Sequence, residues 1–227
     1  MTVTPHSLPG TFLIPQPSGE MRLATKNAVP GTSVYNERLI SIDGTEYREW
    51  NPYRSKLASA IRKGLRISDL CGKILYLGAA SGTTCSHIAD ILTSCGTGTL
   101  YAVEFSLRVA RNLVNFADTR KNVVPILADA RDPREYCSLV SKVDVIYQDL
   151  AQPDQSEILL RNAKFFLRQK GIILLAIKAR SVNAAVSPKE IFANEVQRLQ
   201  PYFVIQQELQ LDPFQKDHMM VFGVRRE

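Results

Sequence analysis

The segment Leu75-Tyr-Leu-Gly-Ala-Ala-Ser-Gly-Thr-Thr84 constrains the fold of this chain more than any other. An apolar run ends at Gly78, small residues follow, and two threonines open a stretch with helical spacing. That order reads as buried strand, tight turn and helix, the opening unit of a doubly wound α/β sheet. Gly78 lets the backbone turn sharply, and Ala79, Ala80 and Gly82 keep the surface low enough for a ligand to lie against it. Thr83 and Thr84 bring hydroxyls and unpaired N–H groups to the start of the helix.

The residues after position 53 alternate between strand-like and helix-like patterns. A short helix is expected over 56–63, and strands over 73–77, 99–104, 123–127, 143–147 and 171–177. Helices are expected near 84–92, from a Ser106 cap through 117, over 156–167, and from Ser187-Pro188 to 199. The last two strand-like runs, 203–211 and 218–225, have no helix between them. A parallel pair needs a crossover, so these two imply an antiparallel hairpin at the sheet edge. The first fifty residues differ. Prolines punctuate short β-type runs, and Asp43-Gly44 between Leu39–Ile42 and Thr45–Trp50 is a strong two-residue hairpin signal. The expected organisation is therefore a small β-rich subdomain over 1–52 followed by a Rossmann-like domain over 53–227.

Two acids give the turn its meaning. Glu104 closes the second strand, where doubly wound folds place an acid that accepts hydrogen bonds from ribose hydroxyls. The third strand runs into Leu127-Ala-Asp129-Ala130, with Asp129 placed for an adenine amino group. A dinucleotide is the main competitor, but its diphosphate favours a G-x-G-x-x-G turn. The turn here is G-A-A-S-G-T-T. Two acids without an added base suit a sulfonium cofactor that carries no phosphate, S-adenosyl-L-methionine.

Bulk properties narrow the class. Hydrophobic residues make up 45% and charged residues 22% of 227, the balance of a globular protein. No apolar run is long enough to span a bilayer, and the N-terminal residues lack a secretory layout, so a cytoplasmic location without membrane association is expected. The net charge of +6 gives a mild attraction for polyanions. The four cysteines show no C-x-x-C spacing and only three histidines accompany them, which disfavours a zinc site. Free thiols are the expected state.

Several motifs are more specific. Trp50-Asn-Pro-Tyr-Arg-Ser-Lys-Leu-Ala58, Leu77-Gly-Ala-Ala-Ser-Gly-Thr-Thr84, Tyr101-Ala-Val-Glu-Phe-Ser106, Tyr147-Gln-Asp-Leu-Ala-Gln-Pro153, Ile177-Lys-Ala-Arg-Ser181 and Asp217-His218 closely resemble fibrillarin. They occur in that family's order, from about Arg22 to Val224. The chain lacks a Gly/Arg-rich extension, and its Lys178-Ala-Arg-Ser181 resembles the archaeal form. Cys85, where an aliphatic residue is usual, and Met219-Met220 depart from the pattern without removing a group that chemistry would need.

The resemblance implies methyl transfer from S-adenosyl-L-methionine to a ribose 2′-hydroxyl, with rRNA and tRNA as candidate substrates. It implies a Lys56, Asp149, Lys178 and His218 set, with Lys178 and Asp149 touching the hydroxyl, Lys56 and His218 orienting them or the ribose, and the general base left open. The family pattern and the turn together nominate Gly78, Ala79, Ala80, Thr83, Thr84, Glu104, Phe105, Asp129, Ala130, Asp149 and Gln152 for the cofactor. The implied partners are a box C/D guide RNA, a Nop-family scaffold protein and a kink-turn-binding protein. Consistent with such helpers, the sequence holds no RNP-type aromatic pair, zinc knuckle or long basic helix for autonomous RNA recognition. Three rivals remain: a methyltransferase for small molecules or proteins, a scaffold that binds the cofactor without catalysis, and a nicotinamide-dependent oxidoreductase.

Overall fold

A computed structural model describes residues 2–16 and 18–227; Met1 and Pro17, both within the segment expected to form the small subdomain, lie outside it. The N-terminal part forms strands β1 (Thr4–Pro5), β2 (Thr11–Pro15), β3 (Met21–Lys26), β4 (Leu39–Ile42) and β5 (Thr45–Glu49). They make an antiparallel sheet in the order β1-β2-β3-β5-β4. The Asp43-Gly44 hairpin forms as its residues require: Ile42 pairs with Thr45, and the two central residues sit at φ 49° and 75°. Strands β2 and β3 hide behind prolines in the sequence. Pro15 ends β2 and Pro5 lies in the edge strand β1, two positions where a missing N–H is tolerated.

The rest of the chain follows as α1 (Lys56–Arg62), β6 (Gly72–Leu77), α2 (Thr83–Cys95), β7 (Gly98–Glu104), α3 (Leu107–Ala117), β8 (Val123–Leu127), a 3-10 turn (Pro133–Tyr136) and β9 (Val143–Gln148). It continues as α4 (Gln155–Phe166), β10 (Leu167–Lys178), α5 (Ala179–Val182), α6 (Pro188–Leu199), β11 (Phe203–Gln210) and β12 (His218–Arg225). The second sheet has the order β11-β12-β10-β9-β6-β7-β8. Its strands run parallel except at β12, which is antiparallel to both neighbours and supplies the expected terminal hairpin. The chain leaves β6 toward β7 on one side and returns at β9 on the other. That reversal opens a crevice beyond the carboxyl ends of β6 and β9, where ligands bind in open α/β sheets.

The two faces of this sheet are covered by separate apolar layers. One gathers Ile74, Tyr76, Val145 and Leu174 with α1 and α2, and takes in Leu8, Leu23 and Trp50 from the N-terminal part. The other gathers Leu75, Ile146, Ile173 and Val221 with α4 and α6. The smaller sheet thus shares the core of the larger one. A buried ionic cluster joins them: Arg48 Nη1 lies 2.7 Å from Asp90 Oδ2 on α2, and its guanidinium 2.6 Å from Glu37 Oε1, with all three side chains almost without solvent contact. His87, also on α2, stacks on Trp50 at 4.7 Å and meets the Tyr35 hydroxyl at 2.6 Å. Such a cluster is stable only with every partner in place, because a lone buried charge is costly.

Two expectations need correction. Cys71 and Cys95 form a disulfide, whereas Cys85 and Cys137 are free. Cys71 precedes β6 and Cys95 ends α2, so the strand-and-helix unit returns both to the same end, with Cα atoms 5.9 Å apart. Ser106 occupies the N-cap of α3 but makes no side-chain capping bond; its N–H instead donates to Glu104 Oε1 at 2.9 Å. Ser187 caps α6 as expected, accepting from Glu190 N. No helix among the described residues is long and apolar enough to cross a membrane.

Candidate active site

The turn after β6 takes the shape its residues allow. Gly78, Ala80 and Gly82 have φ of 84°, 49° and 96°. Gly78 and Ala79 both donate to the Val103 carbonyl at 3.0 Å, which lays the turn across the end of β7. Side chains have no room at Gly78. A Cβ there would meet the Asp149 carbonyl oxygen and Leu150 Cδ2 at 2.8 Å each. The turn and the end of β9 are therefore in backbone contact.

A cleft opens beside this turn, lined by Gly78, Ala80, Glu104, Phe105, Asp129, Ala130, Asp149, Gln152 and Lys178 among others, and holding about 620 Å³ up to its open mouth. Glu104 is fixed by two backbone donors, Ala80 N at 3.0 Å to Oε2 and Ser106 N at 2.9 Å to Oε1. Each carboxylate oxygen keeps a lone pair for a ligand hydroxyl. Phe105 is 64% exposed at the rim, so its ring is free to cover a planar ligand.

Three nominated residues fall outside this lining. Ala79 is buried in the core beneath the turn. Thr84 is also buried, its hydroxyl 2.9 Å from the Ser55 hydroxyl, where it braces the start of α1. Thr83 opens α2 behind the turn. The absence of a base beside the two acids is corrected as well. Arg131 lines the cleft and grips Asp129, with Nη2 2.6 Å from Oδ2. The hydrogen bond from Arg131 is the main reason the Asp129 carboxyl lies below its ordinary pKa. The spacing of two residues closes that pair locally.

Of the four residues nominated for chemistry, Asp149 and Lys178 line the cleft, Lys56 pairs with Asp149, and His218 lies beside Lys178 in the strand register. Asp149 follows β9, Lys178 ends β10, and His218 starts β12 directly opposite Lys178 in the antiparallel register. Lys56 opens α1. Its Nζ is 3.3 Å from Asp149 Oδ2, and Lys178 Nζ is 2.7 Å from Oδ1. Burial pushes the Asp149 pKa up, but the two ammonium groups outweigh it and hold the carboxyl below its ordinary value. Lys178 Nζ also donates to the Asp149 main-chain oxygen at 3.1 Å, and the buried Oδ1 is held by that same ammonium. His218 Nδ1 sits 2.6 Å from the Lys216 carbonyl. A carbonyl only accepts, so Nδ1 carries the proton and Nε2 keeps its lone pair.

Gln155 was missed in the sequence. It is fully buried at the first turn of α4, accepts from Lys178 N at 3.0 Å, and donates to Gln152 O at 2.9 Å and Lys178 O at 3.3 Å. It clamps the ends of β9 and β10 in the positions that bring Asp149 and Lys178 together. Only the neighbourhood of the β9 end, where a helix begins with an uncharged amide, hinted at it.

A family model described as fibrillarin matches residues 3–227. The chain belongs to the fibrillarin family. A fibrillarin-like rRNA/tRNA 2′-O-methyltransferase of Saccharolobus solfataricus is 53% identical over 208 residues, 90% of this chain and 89% of the relative. The crystal structure of Aeropyrum pernix fibrillarin with natively bound S-adenosyl-L-methionine superposes with a TM-score of 0.90 at 46% identity, covering 99% of this chain and 98% of that one. The fibrillarin of a fibrillarin/Nop5p complex superposes at 0.87 with 39% identity, over 98% of this chain and 100% of that one.

The cleft of this fibrillarin suits a cofactor of that kind. Arg131 and Lys178 balance Asp129 and Asp149 in the lining, while Glu104, held only by main-chain donors, keeps lone pairs for ligand hydroxyls.

Proposed function

We propose that this chain transfers a methyl group from S-adenosyl-L-methionine to a ribose 2′-hydroxyl of rRNA or tRNA. The observation that carries the reading is an ionised carboxylate, Asp149, held between two ammonium groups where the cofactor cleft ends. When bound, the cofactor supplies an electrophilic methyl carbon. The protein's remaining tasks are to align a hydroxyl with it and to deal with the hydroxyl proton.

Each residue of the set has a part that its surroundings allow. Glu104 accepts from the cofactor ribose hydroxyls, Phe105 covers the adenine, and the Gly78–Gly82 turn supports the ligand from below. Asp129 reaches the adenine amino group through the lone pairs that Arg131 leaves free. The Asp149 carboxylate accepts a hydrogen bond from the incoming ligands, and Lys178 and Lys56 stabilise negative charge as it develops on the attacking oxygen. His218 is kept neutral chiefly by burial, against the opposing pull of its Lys216 hydrogen bond, with Lys56 and Lys178 adding to the effect. Its Nε2 is the free lone pair of the set and takes the proton.

The relative solved with Nop5p supports a Nop-family partner for this chain. We further propose that a box C/D guide RNA chooses the nucleotide and that a kink-turn-binding protein completes the particle. The test is reconstitution with those components and labelled S-adenosyl-L-methionine. Methyl on the guided 2′-hydroxyl supports the reading. Transfer to free small molecules or proteins without guide RNA, or none at all, would count against it.

A further inference from the structure

The segment that delivers Lys56 and the loop that delivers His218 are joined by a feature the chemistry does not use. Tyr53, three residues before Lys56, is 62% exposed. Its ring meets Phe214 edge-on at 5.3 Å, with an interplanar angle of 77°. Phe214 lies four residues before His218, in the loop between β11 and β12. That loop is tied down beside it. Gln215 Nε2 donates to the carbonyls of Pro52 at 3.0 Å and Tyr53 at 2.7 Å. Tyr53 N donates to Asn51 Oδ1 at 2.8 Å, and the Pro52 carbonyl also accepts from Ser59 Oγ at 2.6 Å.

A large aromatic ring held this firmly, yet left mostly in solvent, gains nothing for the core. Its neighbours show what it faces. Lys216, next to Gln215 in that loop, is an exposed cation, whereas Arg54 turns its guanidinium back over the Tyr35 ring at 4.8 Å and donates to the Tyr35 carbonyl at 2.9 Å. An exposed aromatic face with a cation in the same loop, between the segments that carry Lys56 and His218, matches the chemistry of single nucleotides in a strand: a sugar or base surface to pack on and a phosphate to neutralise.

Building on the proposed RNA 2′-O-methyl transfer, we infer that Tyr53 is a contact for the acceptor RNA. Its ring packs against a nucleotide flanking the methylated one, Phe214 fixes the ring's angle, and Lys216 takes an adjoining phosphate. Tyr53 thereby sets how the strand lies over the catalytic group without touching the reacting atoms. It is a positioning residue.

The test compares wild type, Tyr53→Ala and Tyr53→Phe in the reconstituted particle, with kcat and KM for the RNA, and titrates S-adenosyl-L-methionine separately. Tyr53→Ala is expected to raise KM for RNA about tenfold or more. Its kcat should stay within about twofold and its cofactor affinity unchanged, while Tyr53→Phe keeps the wild-type KM. An unchanged KM in Tyr53→Ala with an active wild type overturns the inference, as does a loss confined to cofactor binding. An inactive wild type overturns instead the transferase reading beneath it.

Discussion

Lys178 Nζ grips Asp149 at two points, 2.7 Å from the carboxylate oxygen Oδ1 and 3.1 Å from the same residue's main-chain oxygen. The ammonium is thus fixed to the strand end as well as to the acid. Lys178→Ala is expected to lower kcat for RNA methylation by about 10²–10⁴-fold, the range for a displaced acid–base or charge-stabilising group. The cofactor affinity should change little. Asp149→Asn should lower both, because Asp149 also lines the cleft. Single-turnover methylation with a parallel cofactor titration separates the two; full activity in either variant would remove these residues from the chemistry.

The pH profile should carry the signature of His218. Burial first, and then Lys56 and Lys178, disfavour its charged form, so its pKa lies below the ordinary 6.5. The neutral form therefore persists to lower pH than in a free imidazole, and activity should fall only as pH drops through that lowered value. In kcat/KM against pH, His218→Gln should abolish this acid limb. A limb that survives the substitution would assign it to another group.

A different histidine should govern acid stability. His87 is buried against Trp50, and desolvation holds its pKa well below 6.5 in the folded state. Below pH 6.5 the unfolded chain takes up a proton that the folded chain refuses, so stability falls with pH until the folded pKa is reached. The slope is at most about 1.4 kcal/mol per pH unit for one such group. Denaturant unfolding between pH 7 and 5 measures it, with His87→Gln expected to flatten the dependence.

Reduction should loosen the cofactor unit. The Cys71–Cys95 bond closes a segment with a sequence separation of 24 that contains the whole of β6, the turn and α2. Cross-links of this span contribute about 3 kcal/mol. Cys71→Ser with Cys95→Ser, or a strong reductant, should lower the unfolding midpoint by several degrees. An identical melting curve with and without reductant would show that the bond carries no stability.

Gly78→Ala should be disproportionately harmful for one methyl group. Its Cβ would press on the Asp149 carbonyl and Leu150, and φ of +84° is strained for alanine. A cost of about 1–3 kcal/mol in stability is expected, with weaker cofactor binding by calorimetry.

The elements with strong periodicity were legible in the sequence. The parallel strands, the Asp43-Gly44 hairpin and the terminal hairpin fall where alternation, turn chemistry and the crossover rule place them. Lys56, Asp149, Lys178 and His218 were nominated through family motifs, since each alone is an ordinary surface or strand-end residue. What escaped was set by distance in the chain. Arg48 finds Glu37 and Asp90 only after the small sheet has docked on α2, and Gln155 acquires its partners only when β9 and β10 lie side by side. Asp129 misled for the opposite reason, because Arg131 is so near in sequence that it captures the carboxylate before any ligand arrives. The Cys71–Cys95 pairing likewise depends on a three-dimensional return that spacing does not reveal.

The missing side chain at Gly78 lets the floor of the cofactor cleft rest directly on the main chain that carries Asp149. The proposed seat of the methyl donor and the main chain that carries the Asp149 carboxylate share a single wall, with no side chain between them. The span across which the methyl travels is therefore a dimension of the backbone. New acceptors are best sought by recasting the rim around Tyr53 and Phe214, since any shift of that wall detunes both ends of the reaction at once.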